Sequence, residues 1–367
     1  MSLLPQSLRT RWTPRVQGAA RPSRAAGAGL LLAALMGGLV GGGAAPATAA
    51  AATDLRVGSF NLSNVTFDTS AGGDHRPWRE RRGVVAQQIL GQRLDVVGVQ
   101  EANPSTIYQD RLVSGTTQFA DLRNALNERG GNYALANSWS YNCQRSTSSK
   151  NCTYVDRGSA LSNRILYDTD TLSLVSQGSL KYTAQSAGKY DRYLEWAVLK
   201  TRSTGREFLF TNTHLDPYST TNRAAQWKQA VDKTVQLRGT RPVVAVGDYN
   251  STKYSAWSQK MLPYTSSKGF GDVVGQTYAT NPVARPRAES SVNGWYHSFN
   301  RWNTDASTWS FATKRTKSGN NIDWIFATNS LRVKQWEVVA DVDPTTLRAR
   351  GILPSDHNLV RATVVLP

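Results

Sequence analysis

The sequence predicts one α/β domain, and two observations support this fold class. Apolar runs rich in Val, Leu and Phe recur along the chain between turn residues, as is typical of strands. Segments with the apolar spacing of helices lie between some of these runs, and the sequence contains no internal repeat. About 315 residues follow an N-terminal leader, and a chain of that length can form one large α/β core.

Nine runs predict strands and three segments predict helices. The predicted strands, in chain order, are Leu55–Phe60, Leu94–Gln100, Leu161–Tyr167, Leu194–Lys200, Glu207–Thr213, Pro242–Gly247, Ile322–Thr328, Val333–Val339 and Leu359–Leu366. Helical spacing predicts helices at Trp78–Leu90, Phe119–Arg129 and Asn222–Leu237. Residues 263–321 are rich in Pro, Ser, Asn and Trp and show weak periodicity, so we expect long loops there.

Residues 1–52 predict a secretory signal peptide and a short spacer, followed by a single domain over residues 53–367. Five arginines and no acidic residue precede an apolar run at residues 29–40, and Ala47-Thr48-Ala49 has the small-residue pattern of a cleavage site. The apolar run is short and rich in glycine for a helix that spans a membrane, although a retained membrane anchor is the alternative. We therefore expect the protein to be secreted and extracellular.

The chain is strongly basic. It carries 43 Lys and Arg against 26 Asp and Glu, a formal net charge of +17. Without the five arginines of the leader the charge is about +12, which favours a polyanionic partner such as nucleic acid, anionic lipid or a phosphorylated polymer. Basic charge can also serve solubility alone, so it does not choose among these partners. We expect the protein to be a monomer.

The two cysteines of the chain predict a disulfide. Cys143 and Cys152 lie nine residues apart in a polar segment that is typical of a loop. In an oxidising compartment such a pair forms a disulfide. Metal ligation is the alternative, but the pair has no histidine nearby and makes a poor site by itself.

Polar side chains cluster at the ends of several predicted strands. The clusters are Gln100-Glu101, Thr213-His214-Leu215-Asp216, Gly247-Asp248-Tyr249-Asn250 and Ser355-Asp356-His357-Asn358. Strands that end in such groups hold catalytic residues at one rim of the sheet in many α/β enzymes. Carboxylate and amide oxygens bind hard cations, and histidines transfer protons. The set of residues therefore indicates metal-assisted attack on a phosphate ester.

Each cluster also has a purely structural interpretation. Asp248 and Asn250 would share one face of an extended segment, but a Gly-Asp-x-Asn turn that caps backbone amides is the alternative. Asp356 could cap a helix, and His214 could be a satisfied core histidine. Asp323 is harder to explain in this way, because a carboxylate within an apolar strand is costly unless it is paired. A histidine is its natural partner.

The order of these motifs resembles the endonuclease/exonuclease/phosphatase superfamily, whose fold is that of deoxyribonuclease I. The matching fragments are Ser59-Phe60-Asn61, Val99-Gln100-Glu101, Thr213-His214-Leu215-Asp216, Gly247-Asp248-Tyr249-Asn250, Asn321-Ile322-Asp323 and Ser355-Asp356-His357. The resemblance spans essentially the whole chain after the leader. It implies a four-layered α/β sandwich, in which two mixed β-sheets pack face to face with helices outside and the active site lies at one rim.

The resemblance also implies a metal site. Asn61, Glu101 and Asp356 would hold Mg²⁺ or Mn²⁺ through oxygen atoms, with Ca²⁺ as a further possibility. The ion would neutralise the charge that builds up on the phosphate in the transition state.

The implied catalytic residues are His214, Asp248, Asn250, Asp323 and His357. Asp248 would orient or deprotonate the attacking water, and Asn250 would donate to a phosphate oxygen. Asp323 would fix the tautomer of His357. The division of acid and base roles among Asp248, His214 and His357 stays open. The phosphate-contacting tyrosine of the family and the acidic partner of His214 have no clear match.

The segment before the Asp323 motif predicts substrate contacts. Residues 263–321 mix aromatic and basic side chains, and the expected substrate-binding residues are Trp295, Arg301, Lys314, Arg315 and Lys317. Such a mixture suits nucleic acid, because basic groups follow the phosphates while aromatic rings stack on bases. The same rings could instead enter a lipid surface, or anchor the loop to the core.

The sequence therefore predicts a secreted, divalent-metal-dependent phosphodiesterase, with an extracellular nuclease as the first expectation. A sphingomyelinase-type phospholipase C, or another phosphoesterase on the same fold, is the alternative within enzymes. A catalytically inactive binding protein is the alternative outside them, although every ionisable position that the chemistry requires is occupied. DNA or RNA as substrate, endo or exo action and the preferred metal stay open.

Overall fold

The computed structural model describes residues 52–70, 74–145, 149–275, 287–311 and 319–367. Its strands are β1 (Thr53–Asn61), β2 (Val96–Gln100), β3 (Tyr133–Leu135), β4 (Arg164–Asp168), β5 (Leu172–Lys181), β6 (Tyr193–Thr201), β7 (Glu207–His214), β8 (Val243–Asp248), β9 (Phe270–Asp272), β10 (Ser290–Val292), β11 (Asp323–Thr328), β12 (Arg332–Val339) and β13 (Leu359–Leu366). Its helices are α1 (Trp78–Gly91), α2 (Gln118–Asn127), α3 (Thr220–Arg238) and α4 (Ala256–Ser267). The predicted leader lies outside these residues, except for residue 52.

The strands form two mixed sheets. The first has seven strands in the order β10-β12-β13-β1-β2-β4-β3, and the second has six in the order β5-β6-β7-β8-β11-β9. Each sheet contains a parallel pair of central strands, β1 with β2 in the first and β7 with β8 in the second. Antiparallel neighbours flank both pairs.

Three apolar clusters show that the molecule has four layers. One cluster fills the space between the sheets and includes Val57, Phe210 and Val246. A second cluster lies between the outer face of the first sheet and helices α1 and α2. A third joins the outer face of the second sheet to α3 and α4, with Trp227 and Trp324 packed edge to face. The fold is the predicted four-layered α/β sandwich.

Side-chain alternation along the strands makes one edge of the inter-sheet space polar. Successive side chains of a strand point to opposite faces, so residues two apart share a face. On β7, Phe208 and Phe210 belong to the inter-sheet core, and His214 follows on the same face. On β8, Val246 belongs to the same core and Asp248 follows it. The apolar core thus ends in ionisable groups at a single edge.

All nine predicted strands and three predicted helices are present, with small shifts at their ends. The edge strand β5 was missed, because it is partly exposed and does not form a continuous apolar run. The prediction of loops throughout residues 263–321 was wrong at the end of α4 and at β9 and β10. Pro263 lies inside α4, and a proline removes one helical hydrogen bond, which hides such a helix from a search for regular spacing.

The predicted disulfide is present. Cys143 and Cys152 are joined, with their Cα atoms 5.2 Å apart, and Cys143 is buried. Within the described parts of the chain, no helix combines the length and the apolar character that crossing a membrane requires.

Gly98 of β2 packs closely against the opposite sheet, and its replacement gives a test of the sandwich. A Cβ atom there would lie 2.5 Å from Val246 Cγ2 and 2.8 Å from Asn212 Cγ, both on the opposite sheet. We expect Gly98→Ala to lower the free energy of unfolding by about 1–3 kcal/mol, as overpacking does. Urea unfolding measures this. The control is Gly91→Ala, which meets nothing within 4 Å and should stay within about 1 kcal/mol of the parent.

Candidate active site

The register of the sheets brings the strand ends together. His214 pairs with Asp248 across the parallel strands β7 and β8, and Asp323 pairs with the same Asp248 across the antiparallel strands β8 and β11. In the first sheet, Asn61 at the end of β1 pairs with Gln100 at the end of β2. Five strands therefore deliver polar side chains to one edge of the sandwich.

The carboxylate of Asp248 lies at the centre of the site. Its Oδ2 accepts a hydrogen bond from Asn61 Nδ2 at 3.1 Å, and it lies 3.5 Å from His214 Nε2 and 3.8 Å from His357 Nε2. Only 2% of the residue is exposed. Burial, together with the charge of Asp323, raises the pKa of Asp248 to about 7. This carboxylate can therefore gain or lose a proton near neutral pH.

His357 is bound to Asp323. Its Nδ1 lies 2.8 Å from Asp323 Oδ2, which leaves Nε2 to face Asp248. Ser298 Oγ fixes the backbone of Asp323, because it accepts a hydrogen bond from the backbone N–H of that residue at 3.2 Å. Burial alone lowers the pKa of His357, but the charges of Asp323, Asp356 and Asp248 outweigh it and raise the pKa to about 10. The imidazole is therefore protonated at neutral pH.

Asn250 lies in a turn after β8, as the structural interpretation of Gly247-Asp248-Tyr249-Asn250 predicted. Its backbone N–H donates to Asp248 Oδ1 at 2.8 Å, and its Nδ2 donates to the carbonyl of Leu215 at 2.9 Å. The expectation that Asp248 and Asn250 share one face of a strand was wrong, because β8 ends at Asp248 and Asn250 has φ +47°. The Asn250 amide has two hydrogens, so one is still available to a ligand.

Glu101 and Asp356 form a second acidic group beside Asp248. Glu101 follows β2, accepts from the backbone N–H of Asn64 at 2.9 Å, and accepts from Asn61 Nδ2 at 3.3 Å. Burial, followed by the charge of Asp356, raises the pKa of Glu101. The negative charges of Glu101 and Asp356 repel each other, and a divalent cation between them would relieve that repulsion and bind their oxygens. These residues therefore fit a hard cation.

Asp248, Asp323 and His357 form another group whose ligand atoms lie within 4.8 Å of one another. The chemistry of this group suits proton transfer better than a hard cation. The contact between Asp323 and His357 Nδ1 uses one of the two ring nitrogens, and Asp248 Oδ2 lies 3.8 Å from the other. Mg²⁺ and Ca²⁺ also prefer oxygen ligands to imidazole.

His214 differs from His357 in its charge. Burial, then the charges of Arg192 and His357, lower the pKa of His214 well below its usual value, so the ring is neutral. Its Nε2 faces Asp248, while its buried Nδ1 has no hydrogen-bond partner among the described residues. Asp248 is therefore the acidic residue that faces this ring, at its Nε2, and no described residue pairs with Nδ1.

Arg192 is a site residue that the sequence did not reveal. It immediately precedes β6, and the charges of Glu101, Asp248 and Asp216 all act on it. Burial lowers the pKa of this guanidinium, and the three carboxylates oppose that effect. A lone arginine before a strand has no motif around it. The signal that could have found Arg192 is its position directly before β6, because β6 pairs with β7 and β7 ends in His214.

The predicted substrate-binding residues fall in different places. Trp295 is half-buried and packs against the inter-sheet core. Arg301 is exposed, and its guanidinium carbon lies 5.5 Å from the ring centre of Phe299, whose ring in turn lies 4.8 Å from that of His357. Lys314, Arg315 and Lys317 lie outside the described residues. Arg301 is thus the one member that the described structure places beside the histidine.

Solved structures with this fold come from several kinds of protein. An endonuclease/exonuclease/phosphatase family protein from Bacteroides thetaiotaomicron has 22% identity and TM-score 0.61, with 86% of this chain and 99% of that chain covered. A mannosyl-6-phosphatase from the same organism has 23% identity and TM-score 0.61, with 85% and 100% covered. TDP2 from D. rerio, solved with a single-strand DNA product, has 15% identity and TM-score 0.51, with 85% and 99% covered. At these identities the likeness shows the fold.

A comparison with curated proteins found no match. The sequence itself matches the Endonuclease/Exonuclease/phosphatase family over residues 58–357. This range begins within β1 and ends at His357, so it includes all the strand ends that build the site. Since the match covers most of the chain, the protein belongs to the endonuclease/exonuclease/phosphatase family and has its phosphoesterase fold.

Proposed function

We propose that the protein is a secreted, divalent-metal-dependent phosphodiesterase that acts as an extracellular nuclease. The observation that carries the proposal is the buried Asp248 carboxylate, held by Asn61 between a neutral and a protonated histidine. A base with a pKa near 7, beside a fixed positive charge, suits the attack of water on a phosphate ester. Secretion rests on the N-terminal sequence pattern alone.

The residues of the site divide the chemistry between them. Asp248 accepts the proton of the attacking water, and Asn61 holds its carboxylate in place. His357, kept protonated by Asp323, donates from Nε2 to a phosphate oxygen and stabilises the charge that develops there. Neutral His214 donates a hydrogen bond to the same phosphate. Arg192, whose charge acts on both His214 and Asp248, adds a second positive charge to the site.

Glu101, Asp356 and the side-chain oxygen of Asn61 are the groups that would hold Mg²⁺ or Mn²⁺. This Asn61 oxygen also accepts from the backbone N–H of Ser63 at 3.0 Å. A cation bound there offsets the negative charge of the phosphate in the transition state. The Asn61 amide bridges the two parts of the site, because its Nδ2 donates to both Glu101 and Asp248. The ion and the base are therefore positioned by a common side chain.

Nucleic acid is the proposed substrate because of charge and because of the exposed groups at the rim. The chain after the leader carries about +12, which favours a polyanion. The lipid alternative needs exposed aromatic rings on residues 263–321, yet Tyr296 is only 5% exposed and Trp295 packs against the core. TDP2 was solved with single-strand DNA, which supports a nucleic-acid substrate on this fold.

Parallel assays on plasmid DNA, RNA, a sugar phosphate monoester and sphingomyelin liposomes, each with Mg²⁺, test this function. We expect cleavage of DNA or RNA and none of the liposomes. Release of phosphate from the monoester alone would contradict the phosphodiesterase proposal and favour a phosphatase like the mannosyl-6-phosphatase relative.

Removal of the metal is expected to stop the reaction. EDTA should abolish hydrolysis, and Mg²⁺ or Mn²⁺ should restore it, because a cation held by Glu101 and Asp356 would offset the charge that develops on the phosphate. Glu101→Gln should raise the metal concentration that gives half-maximal activity by about tenfold or more, within the usual range for lost metal-site interactions. Glu207→Gln, at the opposite end of β7 from His214, is the control and should leave that concentration unchanged. Full activity in excess EDTA would contradict the proposal.

The pH profile of kcat/KM should be bell-shaped. Activity should rise as pH passes through about 7, where Asp248 loses its proton, and fall through about 10, where His357 loses its proton. Asp323→Asn removes a negative charge that raises the pKa of His357, so the alkaline limb should move to lower pH. We also expect kcat to fall about 10²- to 10⁴-fold.

His357→Ala should lower kcat at least as much as Asp323→Asn. The double variant should lose much less than the product of the two single losses, since both residues act through one imidazole. An unshifted alkaline limb in Asp323→Asn, or fully multiplicative losses, would show that the pair does not act as a unit.

A further inference from the structure

The loop that joins β5 to β6 packs against the segment that follows β7. Ser186 Oγ accepts a hydrogen bond from Asn222 Nδ2 at 3.1 Å. Gln226 of α3 donates to the carbonyl of Ala184 at 2.8 Å and accepts from the backbone N–H of Asp216 at 2.8 Å. Both segments are therefore held by the start of α3, and they form one continuous surface beside His214.

The backbone around Tyr218 is fixed by Asp216. Asp216 Oδ1 accepts from the backbone N–H groups of Tyr218 at 2.7 Å and Ser219 at 2.9 Å. Ser219 then caps α3 through the backbone N–H of Asn222. Tyr218, four residues after His214, thus projects from a rigid turn and not from a mobile loop.

Two tyrosines on this surface are exposed. Tyr218 is 64% exposed and Tyr190 is 76% exposed, although an aromatic ring gains most from burial. Lys189 Nζ lies 4.6 Å from the ring centre of Tyr218, so a positive charge accompanies the rings. Tyr190 is two residues before Arg192, whose charge reaches Asp248 and Tyr218. We call Lys189, Tyr190 and Tyr218 the tyrosine wall.

The tyrosine wall and the Phe299–Arg301 pair are each connected to one of the two histidines. Tyr218 follows His214 by four residues along the chain, while Phe299 contacts the ring of His357. The two histidines lie 3.5 Å and 3.8 Å from the same Asp248 oxygen. A chain of nucleotides whose scissile phosphate lies over Asp248 would extend from these histidines toward segments that carry aromatic and basic groups.

We propose that the tyrosine wall binds the bases of single-stranded nucleic acid next to the scissile phosphate and makes the enzyme prefer single strands. The inference rests on the proposed function. Aromatic rings stack on unpaired bases of any sequence, whereas the base faces of a duplex are covered by their neighbours. Lys189 is placed to contact the backbone phosphate that accompanies a stacked base.

The test compares three substrates of equal length: a single-stranded oligothymidylate, its duplex, and an abasic phosphodiester oligomer. We expect wild-type kcat/KM to be at least about tenfold higher for the single strand than for the other two. Tyr190→Ala and Tyr218→Ala should each lower kcat/KM on the oligothymidylate about tenfold, mainly through KM, and leave the abasic oligomer within about twofold. Tyr218→Phe keeps the ring and should keep the preference. Lys189→Gln should make the slope of log binding constant against log salt concentration shallower by about 0.7.

The matched controls are Lys228→Gln and Tyr264→Ala. Lys228 Nζ lies 5.3 Å from the ring centre of Tyr264, which reproduces the Lys189–Tyr218 contact. Lys268 contacts the same ring and precedes β9. Strand β9 pairs with Thr328, at the end of β11 opposite to Asp323, so this pair belongs to the other end of the sheet. We expect no change in base preference from either control. Thermal unfolding by circular dichroism shows that each variant is folded.

The outcomes separate the two proposals. If the parallel assays show cleavage of RNA only, oligouridylate and its duplex replace the thymidylate substrates. If the wild type cleaves no oligomer of either kind, the nuclease proposal fails and this inference fails with it. If the wild type cleaves them without preferring bases, or if folded Tyr190→Ala and Tyr218→Ala keep the wild-type preference, the tyrosine wall is overturned and the nuclease proposal stands.

Discussion

The change from apolar to polar side chains along the inner faces of the two sheets is the constraint on which the site depends. Strand alternation continues the core face of Phe210 and Val246 directly into His214 and Asp248. Ionisable groups buried at the edge of an apolar core are costly unless they are paired. Asn61 and both histidines contact Asp248, and His357 contacts Asp323, so these contacts supply that pairing. Burial also raises the pKa of Asp248 and lowers the pKa of His214.

The site consists of two parts that Asn61 connects. Glu101 and Asp356 form an oxygen-rich part that suits a hard cation, and Asp248 with His357 and Asp323 forms a part whose contacts suit proton transfer. Asn61 donates to both carboxylates, so neither part can shift without the other. Burial, followed by the charge of Arg192, lowers the pKa of His214, whereas the charges of three aspartates outweigh burial and raise the pKa of His357.

The sequence predicted the fold and most of the residues of the site, because both leave local signals. Apolar runs give strands, and an aspartate such as Asp323 within such a run stands out as a residue that needs a partner. Arg192 and the tyrosine wall left no such signal. Their positions are set by the packing of the loop between β5 and β6 on the segment after β7, and the two are far apart in sequence. The turn conformation of Asn250 and the proline-containing helix α4 were missed because regular alternation and spacing fail where backbone geometry departs from the ideal.

The division of the site into a cation-binding part and a proton-transferring part is the central claim. Anomalous diffraction from crystals of the protein soaked in Mn²⁺ tests it most directly. The account predicts one peak coordinated by Glu101 and Asp356, with the contact between His357 Nδ1 and Asp323 Oδ2 unchanged. A peak coordinated by His357, or one lying among Asp248, Asp323 and His357, would contradict it.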